Sequence, residues 1–171
     1  MGRLLTGISS WADPELIESG FYPAGFKSPE ERLHHYALNF PLVEVDSSYH
    51  FLPTKRNLSA WIKATPPGFI FDVKAFSLFT QHPTPLNALP RDLREKSRSA
   101  LNKENHLYIH NLSDEIAEEL WERFVQAVLP LHAAGKLGLI DFQFPTWFHL
   151  SQKNYEYIAK CKEKLSQYHL R

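Results

Sequence analysis

Four short apolar-rich runs mark the chain, at residues 4–8, 42–45, 70–75 and 137–144. Each is bounded by Gly, Pro or polar residues, and each predicts a β-strand. Segments of helical period lie between them. Ser28-Pro29-Glu30-Glu31 predicts a helix start, with Ser as N-cap, Pro in the first turn and Glu31 closing a capping box. The apolar face that follows is Leu33, Tyr36, Ala37 and Phe40, and Pro41 stops it. Thr54 predicts the cap of a shorter helix that presents Leu58, Trp61 and Ile62 and ends at Thr65-Pro66-Pro67-Gly68. Ser113 predicts the cap of the longest helix, with Ile116, Leu120, Phe124, Ala127, Val128 and Leu131 as its buried stripe. Pro130 is expected to kink its last turn and Gly135 to end it. A last helix is expected over 151–168, with Tyr155, Ile158, Ala159 and Leu165 inward.

Strand and helix therefore alternate, which predicts the α/β class, with parallel strands joined by right-handed crossovers. The exception is the segment 77–111, rich in Pro and Ser, which is expected to be a long loop.

Strands covered by helices on both faces read as continuous apolar runs. Three of these four do not. Val43 and Val45 share one face, with Glu44 and Asp46 on the other. Phe71, Val73 and Ala75 oppose Asp72 and Lys74, and Ile140, Phe142 and Phe144 oppose Asp141 and Gln143. The apolar face should meet helices, and the polar face should look at water or at the lumen of a barrel. These polar residues lie toward the C-terminal ends of their strands, where parallel α/β folds keep their active sites. Ionised groups in such a mouth need partners, which makes Glu44 and Lys74 the expected pair.

Composition narrows the function classes. At 171 residues the chain suits one domain over 1–171. Nineteen basic residues balance nineteen acidic ones, which argues against an electrostatic nucleic-acid sleeve or a polybasic membrane patch. Cys161 is the single cysteine, so no intrachain disulfide forms. No apolar run approaches the roughly 18 residues of a membrane span, and Met1-Gly2-Arg3-Leu4 opens no signal peptide. A cytoplasmic protein is the expectation.

Ile8-Ser9-Ser10-Trp11, Phe21-Tyr22-Pro23, Val43-Glu44-Val45-Asp46-Ser47-Ser48-Tyr49 and Pro53 together carry a resemblance. So do Trp61, Thr65-Pro66, Phe71-Asp72-Val73-Lys74-Ala75 and Phe142-Gln143-Phe144-Pro145 with Trp147-Phe148. In order over nearly the whole chain, these motifs resemble the YecE-like family, a domain of unknown function. The resemblance implies a TIM-type (β/α) barrel, similar in shape to barrels that handle sugars or cleave nucleic-acid backbones, and implies no settled reaction. Asp46 departs from the family pattern, which usually has Asn there. Four units fit the chain, so a half barrel is expected, the N-terminal part of a longer protein. If the half barrel stood alone, a homodimer would be expected to rebuild the barrel.

The candidate active site is the barrel mouth. Glu44 is placed as general base, Lys74 as the cation facing a developing anion, and His82 as a proton shuttle, with Asp46 beside them. Trp11, Tyr49, Gln143 and Trp147 are placed as substrate-binding residues, the aromatics by stacking. Glu44, Asp46, Asp141 and His50 make a mixed set that admits a divalent metal, but no motif of known ligand spacing occurs and no metal ligand is assigned. His34, His35, His106 and His110 are read as structural. The leading expectation is a hydrolase or isomerase of a polar small molecule. The alternatives are a nucleic-acid-binding or nuclease-like barrel and a non-catalytic ligand-binding scaffold.

Overall fold

Residues 4–170 are described by a computed structural model; Met1, Gly2 and Arg3, read above for a signal peptide, and Arg171 lie outside them. Five strands form among the described residues: β1 (Leu42–Val45), β2 (Ile70–Lys74), β3 (Thr84–Pro85), β4 (His106–Leu107) and β5 (Leu137–Asp141). The α-helices are α1 (Pro14–Glu18), α2 (Pro29–Asn39), α3 (Ser47–His50), α4 (Lys55–Ala64), α5 (Arg91–Ser97), α6 (Asp114–Ala133) and α7 (Gln152–Ser166). The main sheet is parallel, in the order β1-β2-β5. No closed barrel is present among the described residues.

Local capping chemistry starts the long helices. Ser28 accepts from the Glu31 amide while the Glu31 carboxylate accepts from the Ser28 amide, so the predicted capping box forms. Thr54, Ser113 and Ser151 cap α4, α6 and α7 through the same third-residue amide bond. The helix α6 runs on through Pro130, and Gly135 follows it with φ 65°, a left-handed turn that glycine takes without strain. Packing then follows the alternation in the strands. Val43, Val45, Phe71, Val73 and Ile140 are buried in one core with Leu33 and Tyr36 of α2, Trp61 of α4 and Leu120 and Phe124 of α6.

The strand expected at 4–8 is not a regular one. Ser9 makes an isolated parallel bridge to Glu44, with the Ser10 amide donating to Glu44 O at 3.0 Å and the Glu44 amide to Ile8 O at 3.1 Å. Below that point a side chain replaces the ladder. Tyr36 Oη accepts from the Ile8 amide at 2.8 Å and donates to Leu42 O at 3.0 Å. Gly7 makes the close approach possible, since a Cβ there would stand 2.2 Å from Leu42 O. The strands expected at 70–75 and 137–144 stop at Lys74 and Asp141.

The expected long loop at 77–111 is largely ordered by short elements. It holds β3, β4, α5 and several 3₁₀ turns. Phe79, Leu89, Leu93 and Leu107 are buried, as are Thr80, Thr84 and Ser97, whose hydroxyls are hydrogen-bonded. Its apolar residues follow neither helical nor strand period for long enough to announce this packing.

The inward face of α7 also differs from expectation. Tyr155, Ile158 and Ala159 are exposed, and the buried side is Cys161 and Leu165, with Tyr157 donating to Phe79 O at 2.8 Å. The helix carries apolar residues on two faces, and only one of them meets this core. At the opposite end of the sheet from the strand C-termini, the buried Lys136 ammonium donates to Thr65 O, Thr65 Oγ1 and Pro66 O at 2.7–2.8 Å. It ties the start of β5 to the turn before β2.

Candidate functional site at the carboxyl edge of the sheet

The register of the sheet decides who faces whom. Glu44 lies beside Asp72 across β1 and β2, and Lys74 lies beside Asp141 across β2 and β5. One step past β1, Asp46 comes level with Lys74. Lys74 Nζ accordingly donates to Asp46 at 2.6 Å and lies 3.2 Å from Glu44. The expected Glu44–Lys74 pair thus exists, but the shorter partner is Asp46. Ser9 Oγ donates to Glu44 Oε1 from the bridged N-terminal segment. Burial pulls the Lys74 ammonium down, but its hydrogen bonds to Asp46 and then Glu44 outweigh that and hold it above the usual lysine value.

Asp72 was not among the candidates, although the alternation already set it on the polar face of β2. Burial, more than any other cause, lifts its carboxyl above the usual aspartate range. A hydrogen bond from the Leu139 amide opposes this, and the charges of Glu44 and Asp141 add to it. Glu44, Asp46, Asp72, Asp141 and Lys74 therefore share one polar face of the sheet.

A cleft of about 460 Å³ opens above this face, lined by Asp46, Tyr49, His50, Lys74, His82, Gln143 and Trp147 among others. The helix α3 brings Tyr49 and His50 there, because Ser48 Oγ lies 2.7 Å from both Val45 O and Lys74 O, its one proton shared between them, and so anchors the turn after β1. His82 stands between two aromatic rings, its centroid 5.3 Å from Tyr49 and 5.8 Å from Trp147, both edge-on. Its Nδ1 is 2.9 Å from the buried Thr80 Oγ1. Burial holds the His82 imidazole below its ordinary value and raises the Tyr49 phenol.

Seven of the eight sequence candidates therefore gather at this edge: Glu44, Asp46, Lys74, His82, Tyr49, Gln143 and Trp147. Trp11 does not. It is buried in the core, its Nε1 donating to Pro29 O at 3.0 Å and its ring edge-on to Trp61 and Phe71. The left-handed backbone of Ser10 (φ 69°) turns the chain just before it, away from the strand's own alternation. Among the described residues, no group of three or more His, Cys, Asp or Glu is arranged to hold a metal ion. Glu44, Asp46, Asp141 and His50 thus do not converge on one point; His50 Nε2 stands 3.8 Å from Asp46 alone.

His34 and His35 reach backbone carbonyls of Ala64 and Phe21. No helix among the described residues is long and apolar enough to cross a membrane.

A parallel sheet whose carboxyl edge carries the polar cleft defines an α/β protein with its candidate site where such sheets bind ligands. The family model described as "Protein of unknown function DUF72" matches residues 5–170, and the chain belongs to that family. It is 29% identical over 159 residues to the UPF0759 protein YunF of Bacillus subtilis, covering 93% of this chain and 46% of that protein. A DUF72 family structure from Thermotoga maritima superposes with a TM-score of 0.60 at 26% identity, covering 94% of this chain and 51% of that one. One from Enterococcus faecalis gives 0.61 at 24% identity, covering 92% and 46%. The chain spans about half the length of the relatives it matches.

Proposed function

We propose that this chain contributes the acid–base half of a YecE-like (β/α) barrel that acts, as a hydrolase or isomerase, on a neutral, hydroxyl-rich small molecule. The observation that carries the reading is the double pairing of Lys74 with Asp46 and Glu44. Its charge is already taken up by two carboxylates, so it is not offered to an anionic substrate, and Asp72 and Asp141 add negative charge to the same face. That charge balance disfavours phosphate-rich ligands, nucleic acid included. Sugar-like rings suit it better, with Tyr49 and Trp147 supplying flat apolar walls and Gln143 and Asp46 supplying hydrogen-bond partners.

In this reading Glu44 takes a proton from the substrate, with Lys74 Nζ 3.2 Å away as its counter-charge. His82, neutral at physiological pH, relays a proton at the cleft wall. Trp147 is 56% exposed, whereas Trp11, Trp61 and Trp121 are buried, so tryptophan fluorescence reports on the cleft. Neutral monosaccharides and polyols should quench it and raise the melting temperature, and Trp147→Ala should abolish the quench. With a turned-over compound in hand, Glu44→Gln should cut kcat by about 100-fold or more while the melting temperature stays within a few degrees. Tighter binding of sugar phosphates than of neutral sugars, or full turnover by Glu44→Gln, sinks the reading.

A further inference from the structure

His82 is braced from beneath by a set of buried hydroxyls. Its amide donates to Ser77 O at 3.0 Å, and its carbonyl accepts from Thr84 Oγ1 at 3.2 Å. Thr84 Oγ1 is in turn 2.8 Å from Ser77 Oγ, and Ser77, Thr80 and Thr84 are all buried. Gln81, between Thr80 and His82, takes a left-handed backbone with φ 61°. A residue with a Cβ carries strain there, which the surrounding contacts must hold. The turn folds Thr80 back, so that its Oγ1 lies 2.9 Å from His82 Nδ1. The other edge of the ring lines the cleft.

The single proton on Thr80 Oγ1 decides which ring nitrogen carries hydrogen. That oxygen lies within hydrogen-bond distance of Ser77 O, at 3.1 Å, and of His82 Nδ1. Ser77 O gathers the Gln81 and His82 amides as well, and a carbonyl can only accept. If Thr80 donated to Nδ1, its lone pairs would stand against Ser77 O in a buried site. If it donates to Ser77 O, it accepts from Nδ1–H, and both contacts are hydrogen bonds. Nε2 is then the bare nitrogen. It meets no partner among the described residues, and it is not buried.

We propose that Thr80 is a positioning residue that locks His82 as the Nδ1–H tautomer and so presents a bare Nε2 to the cleft, as acceptor for a substrate hydroxyl. The rings of Tyr49 and Trp147, both edge-on to the imidazole, limit its rotation. Burial favours the neutral ring, which keeps the Nε2 lone pair available. The Nδ1–H bond to Thr80 persists when Nε2 is protonated, so proton uptake breaks no contact beneath the ring. A phosphate or carboxylate oxygen would set lone pair against lone pair. That a hydroxyl is the donor rests on the neutral-substrate reading above; the tautomer does not.

Two-bond proton–nitrogen correlations of the imidazole rings, recorded on isotope-labelled protein at alkaline pH, test it. His82→Gln identifies the ring by its missing signals. The wild type should show Nδ1 at the position of a protonated nitrogen and Nε2 at that of a bare one. Thr80→Ser should keep this pattern. Thr80→Val should lose it, with Nε2 moving toward the protonated position. A Thr80 that only braced the turn would change the melting temperature and leave the pattern intact in Thr80→Val, which overturns the proposal. So does a wild-type ring protonated at Nε2, which is readable whether or not Thr80→Val folds. A neutral monosaccharide that quenches Trp147 should also shift Nε2 and leave Nδ1 nearly still; an unmoved Nε2 overturns the acceptor role. The tautomer is read without ligand, so a missing sugar quench counts against the substrate reading alone.

Discussion

Asp72 and Gly138 are fitted to each other across the β2–β5 ladder. A Cβ on residue 138 would stand 2.2 Å from Asp72 Oδ1, the oxygen that also accepts from the Leu139 amide at 3.1 Å. The carboxylate rests on bare backbone of the next strand, so glycine is needed here for room. Gly138→Ala should displace Asp72 and the Ile70 methyl, which the new Cβ would meet at 2.6 Å. The expected loss is about 1–3 kcal/mol, read as a lower urea midpoint at unchanged slope. An unchanged midpoint would mean that β5 shifts freely at this point.

Asp72 is held above the ordinary aspartate value of 3.8, chiefly by burial. The folded chain therefore binds this proton more tightly than the unfolded chain does. Stability falls as pH rises from 3.8 through the folded value, and it stays lower above that. Asp72→Asn keeps an oxygen for the Leu139 amide and removes the charge. Its melting temperature should exceed that of the wild type at pH 7, with the difference vanishing in strong acid. Equal melting temperatures at both pH values would show that Asp72 is solvated well enough to ionise freely.

Removing the cation should do the opposite. Lys74→Met leaves Glu44 and Asp46 facing each other at the edge of the sheet without their shared cation, Glu44 keeping only the Ser9 hydroxyl. Asp46 is 40% exposed, so solvent screening limits the cost to about 1–3 kcal/mol at pH 7. The native pair holds Lys74 above 10.5, so its contribution is fully present below that pH and is lost only as pH rises through the higher folded value. In strong alkali, above the folded Lys74 value, the wild type loses the charge as well and the deficit should shrink. A deficit of the same size at both pH values would assign it to packing instead.

Burial holds the His82 imidazole below its ordinary 6.5. Proton NMR should find one ring titrating below that value, and His82→Gln should remove the signal. The folded state binds this proton more weakly than the unfolded state, so stability declines as pH drops below 6.5. Thr80→Val, which takes the hydroxyl from Nδ1, should shift the ring's chemical shifts even at high pH. A titration at or above 6.5 would place His82 in water.

At the base of the sheet, Lys136→Met would leave Thr65 O and Pro66 O without their buried donor. Pro66 O keeps the Phe69 amide, but Thr65 O is left unsatisfied at a cost of about 1–3 kcal/mol, so the expected thermal loss is larger than for an exposed lysine. Lys153→Met on the surface of α7 is the control.

Much of this arrangement is written locally. Ser28, Thr54, Ser113 and Ser151 cap their helices through amides three residues on, and that bond depends on sequence spacing alone. Alternation in β1 and β2 separated Val43, Phe71 and Val73 from Glu44, Asp72 and Lys74, because successive strand side chains point to opposite faces. Strand alternation set Glu44, Asp46, Lys74 and Gln143 on one polar face, and Tyr49, His82 and Trp147 were expected at the same edge from their positions after the strands.

Tertiary packing decided the rest. Strand register made Asp46 the nearest partner of Lys74 and set Asp72 against Gly138, and register is a relation between segments far apart in the chain. Trp11 entered the core because the backbone turns at Ser10 and because Trp61 and Phe71 offered it a packing site. The helix α7 carries apolar residues on two faces, and its own sequence does not say which one a neighbour will cover. The core chose Cys161 and Leu165, leaving Ile158 outward, because burial is a property of what lies opposite a side chain.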